Sequence, residues 1–185
     1  MKSYRCSLIR GLIFAGTIIA GNLINLVPAD ESSPVEQIRG TSIAIPRPTL
    51  PQARRQAEIL HASIHMTLQV VHDRYYREDE GLPIPAAIMG DVFKEIETDQ
   101  NIRLRWLAVE GQAMNTDHLP QDSFETEAVK SLKSGKEFHE QSENGLYRRA
   151  APITLSSHCL KCHMPDRKST DDRTAGLIIA MPVEN

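Results

Sequence analysis

This chain of 185 residues has few cysteines, few aromatic residues and no excess of positive charge. It contains three cysteines, one tryptophan, and 21 Lys and Arg against 24 Asp and Glu, for a formal net charge of −3. A chain without a basic excess gives no support to binding of nucleic acid or of anionic lipid. It also has no internal repeat and no low-complexity tract, which argues against a repeat protein.

Two of the three cysteines lie in Cys159-Leu160-Lys161-Cys162-His163. This C-x-x-C-H pattern is the attachment sequence of a c-type haem. One short helical turn presents both thiols to one edge of the porphyrin, where they form thioethers with the vinyl groups. The adjacent His163 then lies beneath the ring and provides the proximal ligand of the iron. The sequence therefore predicts one covalent haem c, held by Cys159 and Cys162 and ligated by His163.

Three other interpretations of the same residues compete with covalent haem attachment. A structural zinc site usually has two pairs of ligands, and the chain has no second cysteine pair. A thioredoxin-type dithiol requires the motif to open a helix within a βαβ pattern, which is absent here. A disulfide between Cys159 and Cys162 would close a very short loop and leave His163 unexplained. These alternatives rank below covalent haem.

The N-terminus has the pattern of a secretory signal. Three basic residues precede an apolar run over residues 12–27, and small residues up to Ala29 suit signal peptidase. The sequence predicts a signal peptide over residues 1–29, with an uncleaved membrane anchor as the alternative. Either outcome exports the rest of the chain, because the positive charges remain inside. We therefore expect a periplasmic protein that meets a membrane only through such an anchor.

Cleavage after Ala29 would also remove Cys6 and leave both remaining thiols in the haem motif. No cysteine would then be available for a structural disulfide. The 18 Lys and Arg and 24 Asp and Glu that remain give a formal charge of −6. Residues 30–51 contain four prolines and are predicted to be a linker, and residues 52–185 are predicted to form the domain.

The hydrophobic pattern changes from helical to strand-like along the domain. Helices are predicted over residues 52–79, 86–98 and 122–134. Strands are predicted over residues 102–109, 136–142, 146–155 and 174–181. Glu143-Asn144-Gly145 separates two of these strands, and Asn-Gly is a typical hairpin turn. The order of the elements predicts an α+β fold with an antiparallel sheet, a long N-terminal helix and the haem turn near the C-terminus.

Taken together, these residues resemble the Tll0287-like family of haem-binding domains. The matching stretches are residues 57–61, 105–127, 147–163 and 175–178, and only the C-x-x-C-H motif among them is specific. The resemblance implies a PAS-like sheet, haem attachment at Cys159 and Cys162, His163 as an axial ligand, and a sensory or redox role. The chain lacks the cysteine that can be the second axial ligand in this family. It also has no room for an output module after the haem domain.

The main candidates for the second axial ligand are therefore histidines. His61, His65 and His72 all lie on the predicted first helix, at spacings of four and seven, close to its apolar stripe. The sequence predicts that His61 or His65 is the distal iron ligand, with His61 ahead. His72 is a further candidate, and Met114 and His118 on the central loop are the alternatives. Each of these histidines taken singly is more often only a partly buried polar residue.

Arg148 and Arg149, which precede the motif, are predicted to contact the haem propionates. The expected function is one-electron transfer or redox sensing with a redox or signalling protein as partner, rather than enzymatic catalysis. A sensor of nitric oxide or carbon monoxide is the alternative, since an iron with one protein ligand can bind such gases. A haem peroxidase ranks third, because no distal pair of histidine and arginine is evident from the sequence.

Overall fold

The structure is a computed structural model that describes residues 45–184, apart from residues 112, 114 and 165–167 and the side chains of Glu78 and Cys162. The predicted signal peptide, Cys6, most of the predicted linker and the alternative ligand Met114 lie outside the described residues. Within the described part of the chain, none of the helices is long and apolar enough to cross a membrane.

The described residues form four helices and four strands, each close to a predicted element. The helices are α1 (Leu50–Arg74), α2 (Pro85–Gln100), α3 (Ser123–Lys133) and α4 (Ser157–His163). The strands are β1 (Arg103–Leu107), β2 (His139–Glu143), β3 (Leu146–Leu155) and β4 (Arg173–Pro182). Two short 3-10 turns, Glu78–Glu80 and Thr116–His118, lie in the loops.

The first helix begins inside the predicted linker and ends earlier than predicted. Pro51 lies in the first turn of α1, where a missing N–H removes no helical hydrogen bond. The side chain of Gln52 accepts a hydrogen bond from the backbone N–H of Thr49 at 2.9 Å, and this bond stabilises the start of the helix. The first helix therefore begins at Leu50, two residues before its predicted start.

The four strands make one antiparallel sheet in the order β1-β4-β3-β2. The last strand, β4, lies in the centre and pairs with β1 on one side and β3 on the other. Four consecutive residues of β4, from Gly176 to Ile179, are buried, as expected for a strand that is covered on both faces. This arrangement confirms the predicted α+β fold with an antiparallel sheet.

Helices cover both faces of this sheet. One apolar cluster joins α1 and α2 to the sheet, and it includes Ala57, Phe93 and Leu177. A second cluster, which includes Phe124 and Ile178, joins α3 to the opposite face. Leu177 and Ile178 are neighbours on β4 and face opposite sides, so the central strand contributes to both clusters.

Candidate functional site

The C-x-x-C-H pattern forms the helix α4, which follows β3 after a single residue. The carbonyl of Ser156 accepts hydrogen bonds from the N–H groups of Cys159 and Leu160 at 2.8 and 3.1 Å, and these bonds close the first turn. Leu160 is fully buried, so one side of α4 is fixed to the core. Cys159 and His163 are four residues apart and line one cavity.

This cavity has a volume of about 700 Å³, within the usual range of cofactor pockets. The last turns of α1 and the segment after it, between residues 68 and 77, form one wall of the cavity, and residues 153–155 of β3 form another. Ala87 and Gly90 of α2 line the cavity with little bulk, because alanine has only a methyl group and glycine has no side chain. Trp106 contributes its ring from β1. The cavity is therefore largely apolar and has room for a flat ring system beside α4.

Four histidine rings line the cavity: those of His72, His118, His158 and His163. Burial lowers the pKa of His163, and the charge of His72 lowers it further. Burial is also the main cause of the lowered pKa of His72 and of His118. Each shift favours the neutral imidazole, which is the form that ligates a metal.

These rings are not arranged to hold a bare metal ion. Among the described side chains, no group of three or more His, Cys, Asp or Glu could hold one. A prosthetic group that brings its own metal needs only one or two protein ligands, and the cavity supplies imidazoles for that purpose.

His118 is held at the cavity by a network around Arg105. The guanidinium of Arg105 donates hydrogen bonds to the carbonyls of Asp117 and Leu119, which flank His118 in sequence. The carbonyl of His118 accepts a hydrogen bond from the N–H of Ala108 at 2.8 Å. After burial, the nearby charge of Arg105 is the next cause that lowers the pKa of His118. These contacts fasten the central loop to the end of β1.

The two histidines that the sequence favoured as distal ligand do not line the cavity. His61 Nε2 lies 3.0 Å from the carbonyl oxygen of Pro152 and donates a hydrogen bond to it. His65 Nε2 accepts the N–H of Thr154 at 3.3 Å. Both rings therefore face the backbone of β3, and His72, two to three turns further along α1, is the histidine of this helix that lines the cavity. The structure therefore does not bring His61 or His65, the predicted distal ligands, to the cavity.

Arg148 and Arg149 also lie away from the cavity. Arg148 donates hydrogen bonds to Asp122 at 2.7 Å and to Glu125 at 3.2 Å. Arg149 donates to Glu140 at 3.3 Å and is only 8% exposed. Neither of these arginines, which were predicted to contact the haem propionates, lines the cavity, and both are held by carboxylates.

Sequence reasoning missed Gly111, which lies against the end of α4. Its φ is +82°, a conformation that favours glycine. A Cβ atom at this position would lie 2.9 Å from the carbonyl oxygen of His163 and 2.8 Å from Cγ of Met164. Because the first of these atoms is backbone, an added side chain would have to displace α4. The sequence signal that could have indicated this turn is a glycine shortly after a predicted strand.

Replacing Gly111 with alanine should destabilise the fold more than the same change at Gly81. Both residues have positive φ, which costs a residue with a Cβ about 1–2 kcal/mol. Only at Gly111 would the new Cβ also meet other atoms, since nothing lies within 4 Å of the corresponding position at Gly81. Chemical denaturation of both variants measures the difference. Equal losses would contradict a close approach between Gly111 and the carbonyl of His163.

Comparisons with known proteins agree with this architecture. A family model described as Tll0287-like matches residues 47–178. No curated protein matches the chain. Among solved structures, the crystal structure of the cyanobacterial haem protein Tll0287 is similar, with a TM-score of 0.52 and 15% sequence identity. The match covers 69% of this chain and 95% of that chain. At this identity the similarity is one of fold.

Proposed function

This chain belongs to the Tll0287-like family, and from that premise we propose that it binds one covalent haem c and acts in one-electron transfer or redox sensing. One observation carries the proposal. Cys159 and His163, the first and last residues of the C-x-x-C-H pattern, line the same cavity of about 700 Å³. The structural neighbour of the same fold is named as a haem protein, which supports the same cofactor here.

The residues at the cavity fit a haem of this kind. Cys159 is half-buried and lines the cavity, and Cys162 lies three residues further along the same helix. His163 presents an imidazole whose lowered pKa keeps the ring neutral and able to bind iron. In the proposed complex these three residues tether the haem and provide its proximal ligand.

The remaining walls would exclude water from the ring. Leu68, Trp106, Ile153 and Leu155 line the cavity with apolar surface. A bound haem supplies a one-electron couple at its iron. An apolar surround disfavours the oxidation state with the higher net charge, so these residues would set the reduction potential together with the axial ligands.

The cavity has its own cations for the haem propionates. Arg77 and Lys161 are the Lys and Arg side chains among the described residues that line it. Arg77 extends from the segment after α1, and Lys161 lies on α4 between the two cysteines of the motif. We assign the propionate contacts to these two residues in place of Arg148 and Arg149.

Export and an external partner complete the proposal. The basic and apolar pattern over residues 1–27 supports transfer out of the cytoplasm. Both thiols would be loaded with haem after that transfer. The partner would be a redox or signalling protein. A peroxidase gains less support, because Arg105, the arginine beside His118, does not line the cavity and is held by Glu125 and two carbonyls.

The direct test is to express the exported chain together with haem-attachment machinery and extract the product with denaturing acid. We expect the haem to remain on the protein. The absorption spectrum of the oxidised and reduced forms, with and without carbon monoxide, then separates the functional alternatives. Indifference to carbon monoxide favours electron transfer or redox sensing, and ready binding favours a gas sensor. Complete removal of haem by the acid would refute covalent attachment.

Trp106 provides an internal probe of where the haem lies. It is the single tryptophan of the chain and lines the cavity, where its Nε1–H donates to the carbonyl of Ala86 at 3.0 Å. A haem in this cavity absorbs the energy of the excited indole, so the native holoprotein should fluoresce weakly and brighten on unfolding in guanidinium. The double variant Cys159→Ser, Cys162→Ser, without haem, is the control. Bright emission from native, haem-loaded protein would place the haem elsewhere.

A further inference from the structure

We propose that His72 is the second axial ligand of the iron, so that the haem is held between α1 and α4 by His72 and His163. This inference rests on the proposed function, because it assumes a haem in the cavity. It differs from what the sequence favoured, which was His61 or His65. The chain lacks the cysteine that can be the second axial ligand in this family, and a histidine would take the place of that ligand.

The first argument is the direction in which α1 faces. Leu68 and His72 are four residues apart near the end of α1, and both line the cavity. They therefore lie on one face of the last turns of the helix, and that face borders the same cavity as the motif. His61 and His65 lie nearer the start of the helix, where it packs against the backbone of β3. The same helix thus uses two histidines for β3 and one for the cavity.

The second argument is proximity to the motif. The ring of His72 lies 6.4 Å from the ring of His158, measured between centroids, in an edge-on arrangement. His158 directly precedes Cys159. The ring of His163, at the other end of the motif, lines the same cavity as the ring of His72. The two imidazoles therefore share one cavity next to the tether, as a pair of ligands on one iron must.

The third argument is that the ring nitrogens of His72 remain available. Among the described residues, no hydrogen bond engages either nitrogen, in contrast to His61 and His65. The ring contacts Tyr76 at 5.0 Å between centroids. A ring nitrogen that no described residue engages can donate its lone pair to iron.

His118 is the main rival, and electrostatics disfavours it. The guanidinium of Arg105 lies near its ring and opposes positive charge there. An imidazole bound to ferric iron takes on part of the charge of the metal, so that cation weakens it as a ligand. His72 is also placed by a long helix, which holds a ligand more rigidly than a loop does. His158 adjoins the tether itself and cannot reach the opposite side of the ring.

The test compares histidine variants of the haem-loaded chain by absorption and electron paramagnetic resonance spectroscopy. The wild type should be low-spin and slow to bind carbon monoxide. His72→Ala should lose the low-spin signal, bind carbon monoxide readily, and recover the low-spin signal when imidazole is added. His65→Ala, a change on the same helix but outside the cavity, should match the wild type. His118→Ala should also remain low-spin.

Two results would overturn the assignment: a low-spin His72→Ala variant, or a wild type whose iron binds carbon monoxide at once. Failure of the proposed function looks different. In that case the wild type would carry no haem after acid extraction, whatever residue stands at position 72. Haem content thus reports on the function, and spin state in the loaded protein reports on His72.

Discussion

Replacing Cys159 and Cys162 together with serine should abolish covalently bound haem completely. Serine has nearly the size of cysteine but cannot form a thioether, so α4 should retain its shape while losing both attachment points. His163 remains and can still ligate iron, but without a tether the haem is removed by acid. Haem content after denaturing extraction is the measurement, with the protein quantified independently.

The third cysteine supplies the matched control. Cys6→Ser lies outside the motif and should leave haem content at the level of the wild type. Each single change, Cys159→Ser or Cys162→Ser, should leave one thioether and therefore some acid-resistant haem. Acid-resistant haem in the double variant would show that attachment occurs at another residue and would remove the basis of the proposal.

Replacing Glu125 with alanine should cost about 3–5 kcal/mol of unfolding free energy, because one partner of a buried ionic cluster is lost. Glu125 is 3% exposed and forms ion pairs with Arg105 and Arg148, whose side chains are 19% and 20% exposed. Its carboxylate also accepts the N–H of Gln121 at 2.7 Å. Removing it leaves two partly buried guanidinium groups without this shared carboxylate.

Glu127 is the control, because it lies on the same helix and also pairs with a cation. Its contact with Lys130 is at the surface, so Glu127→Ala should change stability little. Both substitutions introduce the same good helix former, which removes differences in helix propensity. Guanidinium titration of the two variants gives the comparison. Losses of equal size would show that the Glu125 cluster contributes no more than a surface pair.

Most of the fold could be predicted because its signals are local. Asn144 and Gly145 have φ of 52° and 72°, the positive values that a tight hairpin requires and that these two residues tolerate best. Asp122, where the third helix was predicted to begin, accepts the N–H of Glu125 at 2.9 Å at the start of α3. The apolar run over residues 175–181 indicated a strand, and the structure places that strand in the centre of the sheet.

The neighbours of each side chain could not be predicted in the same way. His61, His65 and His72 are all half-buried on one helix. Hydrophobic periodicity distinguishes buried from exposed positions of a helix, but it does not show which part of the protein covers each position. Which of them meets the cavity depends on how α1 crosses β3. That crossing is set by long-range packing, and no residue of the helix signals it.

The contacts of Arg148 and Arg149, which lie on a strand, could not be predicted from the sequence either. Successive strand residues point to opposite faces, so at most one of the pair could face a given site. The structure directs Arg148 to Asp122 and Glu125 near α3 and directs Arg149 to Glu140 of β2. Asp122 and Glu125 lie more than 20 residues away in sequence, beyond the reach of any local pattern.

The central position of β4 sets the order of events as the chain is made. Synthesis delivers α4 before β4, and β1 and β3 have no common neighbour until Arg173–Pro182 has emerged. Until then the sheet cannot close, and the motif remains on an open chain. In the proposed haem protein, the enzymes that attach haem would act in the time before the last strand inserts.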